Sequence, residues 1–360
     1  MNVNDYVSRL PIKRRSLLKN ALTATAGTSI GATLLAACGG TTTASTGSGG
    51  SGEGKFPSHP KWNFVFVNHV TTNPFFVPTQ YGIQDACALL GCTYQWTGSQ
   101  NSIASEMVNA FNTAVTAKAD GIAIALTDPT AFNAPVENAL QAGIPVVAYN
   151  ADATGNARLA YIGQDLYQSG FSLGQKMAAQ VTSGDVAGFI ATPGQLNIQP
   201  RIDGATAAFK QYAPNVKVTP IATGAQDTDE LNAIQAYYLG HKNVKGMFSV
   251  DGGSTQGLSE IVDKYNLASS IYACGFDLQP KTLQEISKGN LQFTIDQQPY
   301  LQGFVPIVQL FLYKLSGGLM QPSNTDTGLL FVTKSNVGPY LNSQSRFEGS
   351  SSAEKVISQS

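Results

Sequence analysis

Histidine is scarce in this chain of 360 residues, and the sequence patterns of common enzyme sites are missing. The three histidines show no paired-His or Cys/His spacing typical of a metal site. Neither a Gly-x-Ser-x-Gly nucleophile motif nor a glycine-rich phosphate loop is present. The sequence therefore predicts a protein that is not an enzyme and that needs no metal and no cofactor.

An excess of positive charge is also missing, since 22 Lys and Arg are balanced by 23 Asp and Glu. Proteins that bind nucleic acid usually carry a basic patch or stripe. The composition thus gives no reason to expect nucleic acid as a partner. The low charged fraction of 12% and the 36 glycines favour a folded α/β protein instead.

The N-terminal region lacks an apolar run long enough to cross a membrane. Residues 13–19 are basic and contain paired arginines, and the apolar segment Ala21–Ala37 that follows is interrupted by polar residues. A membrane span needs roughly 20 apolar residues. The charged-then-apolar order predicts an export signal over residues 1–37 rather than a transmembrane anchor. Paired arginines favour the twin-arginine export route, and the general route stays open.

The end of this segment, Leu35-Ala36-Ala37-Cys38-Gly39, resembles the lipobox of bacterial lipoproteins. The resemblance implies that Cys38 becomes the first residue of the mature chain and carries a lipid. Residues 38–58 are rich in Gly, Ser and Thr, a composition typical of a flexible tether. We therefore expect an extracytoplasmic protein, anchored through lipid on Cys38 to the outer face of the cell membrane.

Cysteine is rare in the rest of the chain, with Cys87, Cys92 and Cys274. Export permits disulfides, and Cys87 and Cys92 are close in sequence. Buried free cysteine is common in protein cores, so we expect free thiols. The sequence alone leaves a Cys87–Cys92 disulfide open.

Short apolar runs alternate with helical patterns from Lys61 onward, which predicts parallel sheets with crossover helices. This alternation occurs twice without a long linker, so we expect an α/β fold with two Rossmann-like lobes. Each lobe would have its own sheet and core. A site between two such lobes is a cleft that closes on its ligand.

Polar and aromatic residues follow the predicted strands. Asn73, Phe75 and Phe76 come after the first strand, where open α/β sheets bind ligands. The rings suit the C–H surface of a small molecule and the amide suits its hydroxyls, unless both rings are ordinary core residues. Six further residues follow later strands: Asn150, Asn197, Arg201, Asp251, Asp277 and Gln297. Such a set can both donate to and accept from hydroxyls, so the predicted ligand is a sugar or polyol.

The ordered set of stretches resembles the type I periplasmic sugar-binding proteins of bacterial uptake transporters, the group that contains ribose-binding protein. Six stretches between about residues 63 and 337 carry the resemblance: Asn73–Phe76, Gly143–Val147, Tyr161–Asp165, Arg201–Gly204, Gly275–Asp277 and Thr294–Pro299. It implies ligand contacts at Asn73, Phe75, Phe76, Asn150, Arg201, Asp251, Asp277 and Gln297. Asn150-Ala151 departs from the Asp-Arg pair of ribose-binding members, which argues against ribose. Asn197 and Gln199 are expected to compensate.

The resemblance also implies three crossings between the lobes, near Tyr161–Gln164, Gln297 and Gly328. The expected N-terminal lobe is residues 59–162 with 298–328, the C-terminal lobe is 163–297 with 329–340, and 341–360 form a loose tail. The implied function is a monomeric, lipid-anchored protein that delivers a monosaccharide or polyol to the permease subunits of an ABC transporter. The alternative is a sensor that presents sugar to a membrane receptor. A cytosolic repressor of this fold would lack an export signal.

Overall fold

The computed structural model describes residues 57–318 and 322–341. The predicted export signal, Cys38 and nearly all of the tether lie outside these residues, as does the tail from residue 342 onward. Within the described part of the chain, no helix is long and apolar enough to cross a membrane.

The described residues contain twelve strands and ten α-helices. The strands are β1 (Asn63–Asn68), β2 (Thr93–Gly98), β3 (Gly121–Ile124), β4 (Val146–Tyr149), β5 (Ala160–Gly163), β6 (Ser183–Ile190), β7 (Asn215–Ala222), β8 (Gly246–Ser249), β9 (Tyr272–Phe276), β10 (Phe293–Asp296), β11 (Asn324–Asp326) and β12 (Leu330–Val332). The helices are α1 (Val77–Leu90), α2 (Ala104–Thr116), α3 (Asn133–Gln141), α4 (Leu166–Ala178), α5 (Gln199–Tyr212), α6 (Asp227–Gly240), α7 (Gly252–Lys264), α8 (Pro280–Lys288), α9 (Pro299–Ser316) and α10 (Gly338–Leu341).

The strands form two six-stranded sheets, one in each lobe. The order is β11-β5-β4-β3-β1-β2 in the first sheet and β12-β10-β9-β8-β6-β7 in the second. The chain passes from one sheet to the other after β5, after β10 and after β11. This topology confirms the predicted α/β fold of two Rossmann-like lobes joined by three crossings. The exact lobe boundaries given above stay a proposal.

Two details at the end of the chain differ from the sequence prediction. The sheets are not parallel throughout, because β12 runs antiparallel to β10. Since β12 enters the second sheet directly from the hinge, it runs away from the edge at which β10 ends. The sequence prediction assigns Leu341 to the loose tail, but Leu341 is the last residue of α10.

Two consecutive glycines, Gly252 and Gly253, form the start of α7. The helix starts at Gly252, and Asp251 is its N-cap, accepting a 2.8 Å bond from the Ser254 N–H. Glycine leaves space here for the side chain of Glu230. A Cβ on Gly253 would lie 1.8 Å from Oε2 of Glu230, a buried residue of α6.

Close helix packing fixes the first lobe beside the hinge. Helix α9, which follows the second crossing, packs against α1 with glycines at the contact. A Cβ on Gly303 would lie 1.9 Å from the Thr79 carbonyl oxygen, and one on Gly82 would lie 2.1 Å from that of Tyr300. At the far end of α1, Cys87 and Cys92 are buried free thiols.

Candidate ligand-binding site

One cavity lies where the carboxyl ends of the strands of both sheets face each other. It brings together all nine residues predicted for the site: Asn73, Phe75, Phe76, Asn150, Asn197, Arg201, Asp251, Asp277 and Gln297. It is also lined by four polar residues that the sequence prediction missed: His69, Ser102, Thr192 and Glu230. Gln199, which was expected to help Asn197, turns away and bonds the Gly194 N–H and Asp203 instead.

The aromatic part of the wall is built by a short 3-10 turn, Pro74–Phe76, between β1 and α1. Asn73 caps this turn, since its Oδ1 accepts the Phe75 N–H at 2.9 Å. The two rings meet edge to face with centroids 4.7 Å apart. Phe76 is buried in the core while Phe75 is half-buried. Both interpretations of the pair therefore hold: Phe76 anchors the core, and both rings line the cavity.

A histidine from the first lobe meets an asparagine from the second across the cavity. The Asn197 amide donates to Nε2 of His69 at 3.1 Å, so the neutral ring carries its hydrogen on Nδ1. Burial lowers the pKa of His69 to about 4, because charging an imidazole without water is costly. His69 is thus a neutral hydrogen-bond donor to the cavity at physiological pH.

Arg201, at the start of α5, carries the positive charge of the cavity. Its guanidinium lies 4.2 Å from the centroid of the Phe276 ring. Nη1 donates to the Val250 carbonyl at 2.9 Å and Nη2 donates to Oε1 of Gln164 at 3.1 Å. The side chain is therefore held rigidly, with Nε left to face a ligand. Among the described residues, Asp203 forms no ion pair with Arg201 and accepts a bond from Gln199 instead.

Asp277 supplies an acidic group from the end of β9. Its backbone is in the left-handed region at φ 74°, which Asp tolerates better than most residues. Its Oδ1 accepts a 2.6 Å bond from Nε2 of Gln297. Burial raises the pKa of Asp277 to about 7, although the nearby Arg201 charge and the Gln297 bond oppose that rise. The Asp277 carboxyl group is thus an acceptor for a ligand hydroxyl, and its charge depends on Arg201 and Gln297.

The hinge contacts the cavity through two buried glutamines. Gln302 accepts a bond from the Asn150 amide and donates to Gln297 and Thr327, which belong to the second and third crossings. Gln164 donates to the Gly328 carbonyl at 2.8 Å while it accepts from Arg201. Ligand-lining side chains and hinge segments therefore share one hydrogen-bond network.

The lobes are also bonded directly across the cleft beside the cavity. Gln195, in the loop before α5, accepts from the Ser102 hydroxyl at 2.6 Å and donates to the Ser102 carbonyl at 2.8 Å. The next residue, Leu196, donates its N–H to the Thr127 carbonyl at 2.9 Å. The cleft is therefore closed in this structure.

Five lining residues keep a buried polar atom without a hydrogen-bond partner in the described protein. Two of these atoms carry hydrogens, Nδ1 of His69 and Nε of Arg201. The others are oxygens: Oδ1 of Asn150, Oδ1 of Asn197 and Oε2 of Glu230. Buried polar groups are normally paired, so such a concentration in one cavity points to a ligand. A ligand that both donates and accepts, as hydroxyl groups do, would satisfy all five.

Family comparison decides the identity of the fold. Residues 64–317 match the family described as the periplasmic binding protein domain. The chain belongs to the periplasmic binding protein family. This membership confirms the predicted resemblance and the prediction that the chain is not an enzyme, and it implies an extracytoplasmic location.

Several relatives within this family have named ligands. The chain is 48% identical to a xylose/arabinose-binding protein, XylF, of Sulfolobus acidocaldarius, over 98% of this chain and 94% of that one. It is 28% identical to a ribose import binding protein of Escherichia coli, over 66% of this chain and 80% of the relative. Among solved structures, a solute-binding protein of Burkholderia graminis in complex with D-arabinose has a TM-score of 0.74 and 26% identity, covering 79% of this chain and 99% of that one.

The sequence could have indicated one of the missed residues, His69, but not another, Glu230. His69 directly follows β1, so a search of strand ends for hydrogen-bond donors, rather than for metal ligands, would have included it. Glu230 lies in the first turn of α6, which also contains the acids Asp227 and Asp229. Its place in the cavity depends on how α6 packs against the start of α7, which no local pattern reveals.

Proposed function

We propose that this protein captures a neutral pentose in the cavity between its lobes, as the solute-binding component of an ABC transporter. The observation that carries the proposal is the set of five unpaired donors and acceptors beside Phe75 and Phe76. Vicinal hydroxyls and a C–H face match such a wall. The similarity to a xylose/arabinose-binding protein over nearly the whole chain supports a pentose among the neutral sugars.

The charges of the cavity support a neutral ligand. Arg201 is the sole Lys or Arg among its described lining residues, which also include Asp251, Asp277 and Glu230. Two of the five N–H donors of Arg201 are already bonded to Val250 and Gln164, and its Nε has no partner among the described residues. Phosphate binding usually relies on a glycine-rich loop or several cations. We therefore expect sugar phosphates and sugar acids to bind poorly.

Anchoring and delivery form the finer part of the proposal. A lipid on Cys38 would keep the protein at the outer face of the membrane, and the tether of residues 39–58 would allow the lobes to reach a permease. Replacing the lipid-bearing thiol by Cys38→Ser should release the protein from the membrane fraction into the medium or periplasm. Retention of the variant in membranes at the wild-type level would contradict the lipid anchor.

A thermal-shift screen of the purified protein tests the choice of ligand. The panel is pentoses, hexoses, polyols, pentose phosphates, amino acids and nucleosides. A ligand that binds only the folded state raises the melting temperature in proportion to its affinity. We expect the largest rise with xylose or arabinose and none with pentose phosphates. A rise with amino acids or nucleosides alone would contradict the proposal.

A further inference from the structure

Glu230 is a buried acid in the cavity wall whose presence the family resemblance does not explain. It lies in the first turn of α6, is 2% exposed, and lines the cavity beside Gly252 and Gly253 of α7. Its Oε2 has no partner within the described residues. The carboxyl group lies directly over Gly253, where any larger residue would displace it.

Asp251, the N-cap of α7, lines the same cavity as Glu230. Its carboxylate accepts two backbone bonds, from the Ser254 N–H at 2.8 Å and from the Ala191 N–H at 3.0 Å. Neighbouring carboxyl groups rarely both carry a charge, because two adjacent carboxylates repel each other. Backbone donors stabilise the charge on Asp251, whereas no donor of the described residues reaches Oε2 of Glu230, so Glu230 is the group that favours the neutral form.

The charged groups around Glu230 favour the same assignment. Asp227, on its own helix, and Asp251, at the start of α7, are the titratable groups that act on it, and both are acidic. Arg201, from α5, acts on Asp251 and Asp277. Burial, together with these two acids, raises the pKa of Glu230 to about 10 from its ordinary value of 4.5.

We propose that Glu230 is a specificity-determining ligand contact, which offers the unpaired Oε2 of a neutral carboxyl group to a pentose hydroxyl. The proposal rests on the proposed function, because it names a contact within the same site. A purely structural Glu230 would support the start of α7 without touching the ligand.

Three variants separate these roles by titration calorimetry with D-xylose, L-arabinose and D-arabinose. Glu230→Gln keeps the shape of a neutral carboxyl group and its oxygen acceptor, so its affinities should stay within about threefold of wild type. Glu230→Ala should lose at least about tenfold in affinity and change the ratio of affinities between the pentoses. Glu137→Gln, the same chemical change on an exposed face of α3, is the control and should change nothing.

The outcomes distinguish each claim. Normal affinities and ratios for the folded Glu230→Ala protein would overturn the contact. Equal losses in Glu230→Gln and Glu230→Ala would overturn the neutral carboxyl group, because they would show that a charge is needed. If the wild-type protein binds none of the pentoses, the proposed function fails and the contact fails with it.

The neutral state of Glu230 has a separate readout that needs no ligand. A carboxyl group that stays protonated in the folded protein loses its proton in the unfolded chain above its ordinary pKa of 4.5. The wild-type melting temperature should therefore fall relative to that of Glu230→Gln as the pH rises from about 5 to 9. Parallel melting curves across this range would overturn the neutral carboxyl group, and they would do so whether or not a pentose binds.

Discussion

Arg201 ties the ligand cavity to the hinge at the level of single residues. It is 2% exposed, and its two terminal nitrogens are bonded to Val250 and to Gln164 of the first crossing. Removing it would leave buried acceptors unpaired and would damage the fold as well as the site. Asp277 is a cleaner probe of affinity, because its carboxylate bonds only the Gln297 side chain among the protein contacts described here.

The substitution Asp277→Asn should weaken pentose binding by about tenfold or more. Asparagine keeps the shape and tolerates the left-handed backbone at this position, but it removes the charge that faces Arg201. Calorimetry gives the affinity, and the melting temperature of the ligand-free protein reports the fold. Asp185→Asn, the same change at an exposed position of β6, is the matched control. Unchanged affinity, or a loss that only follows a lower melting temperature, would contradict a ligand contact.

Strand ends led to the residues that the sequence placed in the site. Eight of the nine lie near strand ends or in the loops that follow them, and Arg201 lies in the first turn of the next helix, α5. Glu230 has a similar position in the first turn of α6, but no local motif distinguishes it from the other acids of that turn, and its place in the cavity depends on packing against α7. Protonation of that group depends on burial and on Asp251, which are properties of the fold rather than of any motif.

At the scale of elements, glycine contacts set the spacing of the helices beside the hinge. The regular alternation of apolar runs and helical patterns predicted the parallel sheets and their crossover helices. The sequence prediction missed β11, a strand with the sequence Asn324-Thr325-Asp326, because no apolar residue marks it. That strand is held by backbone pairing with β5 at the edge of the first sheet, which polar residues tolerate.

Gly303→Ala should lower the free energy of unfolding by about 2–3 kcal/mol. The new Cβ would lie 1.9 Å from the backbone oxygen of Thr79, so α9 and α1 would have to move apart. Denaturant titration of the ligand-free protein measures the change. Gly240→Ala is the control, since a Cβ at the end of α6 meets nothing within 4 Å. That variant should be neutral or gain about 0.5 kcal/mol. Equal stabilities for the two variants would show that the α1–α9 contact is not tight.

At the scale of the whole molecule, closure joins the two lobes over the ligand. The side chain of Gln195 and the backbone of Leu196 bond residues of the first lobe without lining the cavity. Contacts made only in the closed form shift the equilibrium between open and closed states towards closure. They should therefore act on the release of the ligand rather than on its recognition.

Gln195→Ala should accelerate release of a bound pentose by about threefold to tenfold, because it removes two bonds of the closed form. Stopped-flow displacement with a competing sugar measures the rate. Gln95→Ala, at an exposed position of β2, provides the control. The order of preference among sugars should stay as in the wild type. A release rate equal to that of the control would contradict the role of this loop in closure.

The central claim is that one neutral pentose occupies the cavity between the lobes. Isothermal titration of the purified protein with D-xylose and L-arabinose, and with D-xylose 5-phosphate as the charged counterpart, tests it most directly. We expect at least one of the two pentoses to bind with one site per chain, and the phosphate to give no binding heat. Tight binding of the phosphate, or no binding of either pentose, would contradict the claim.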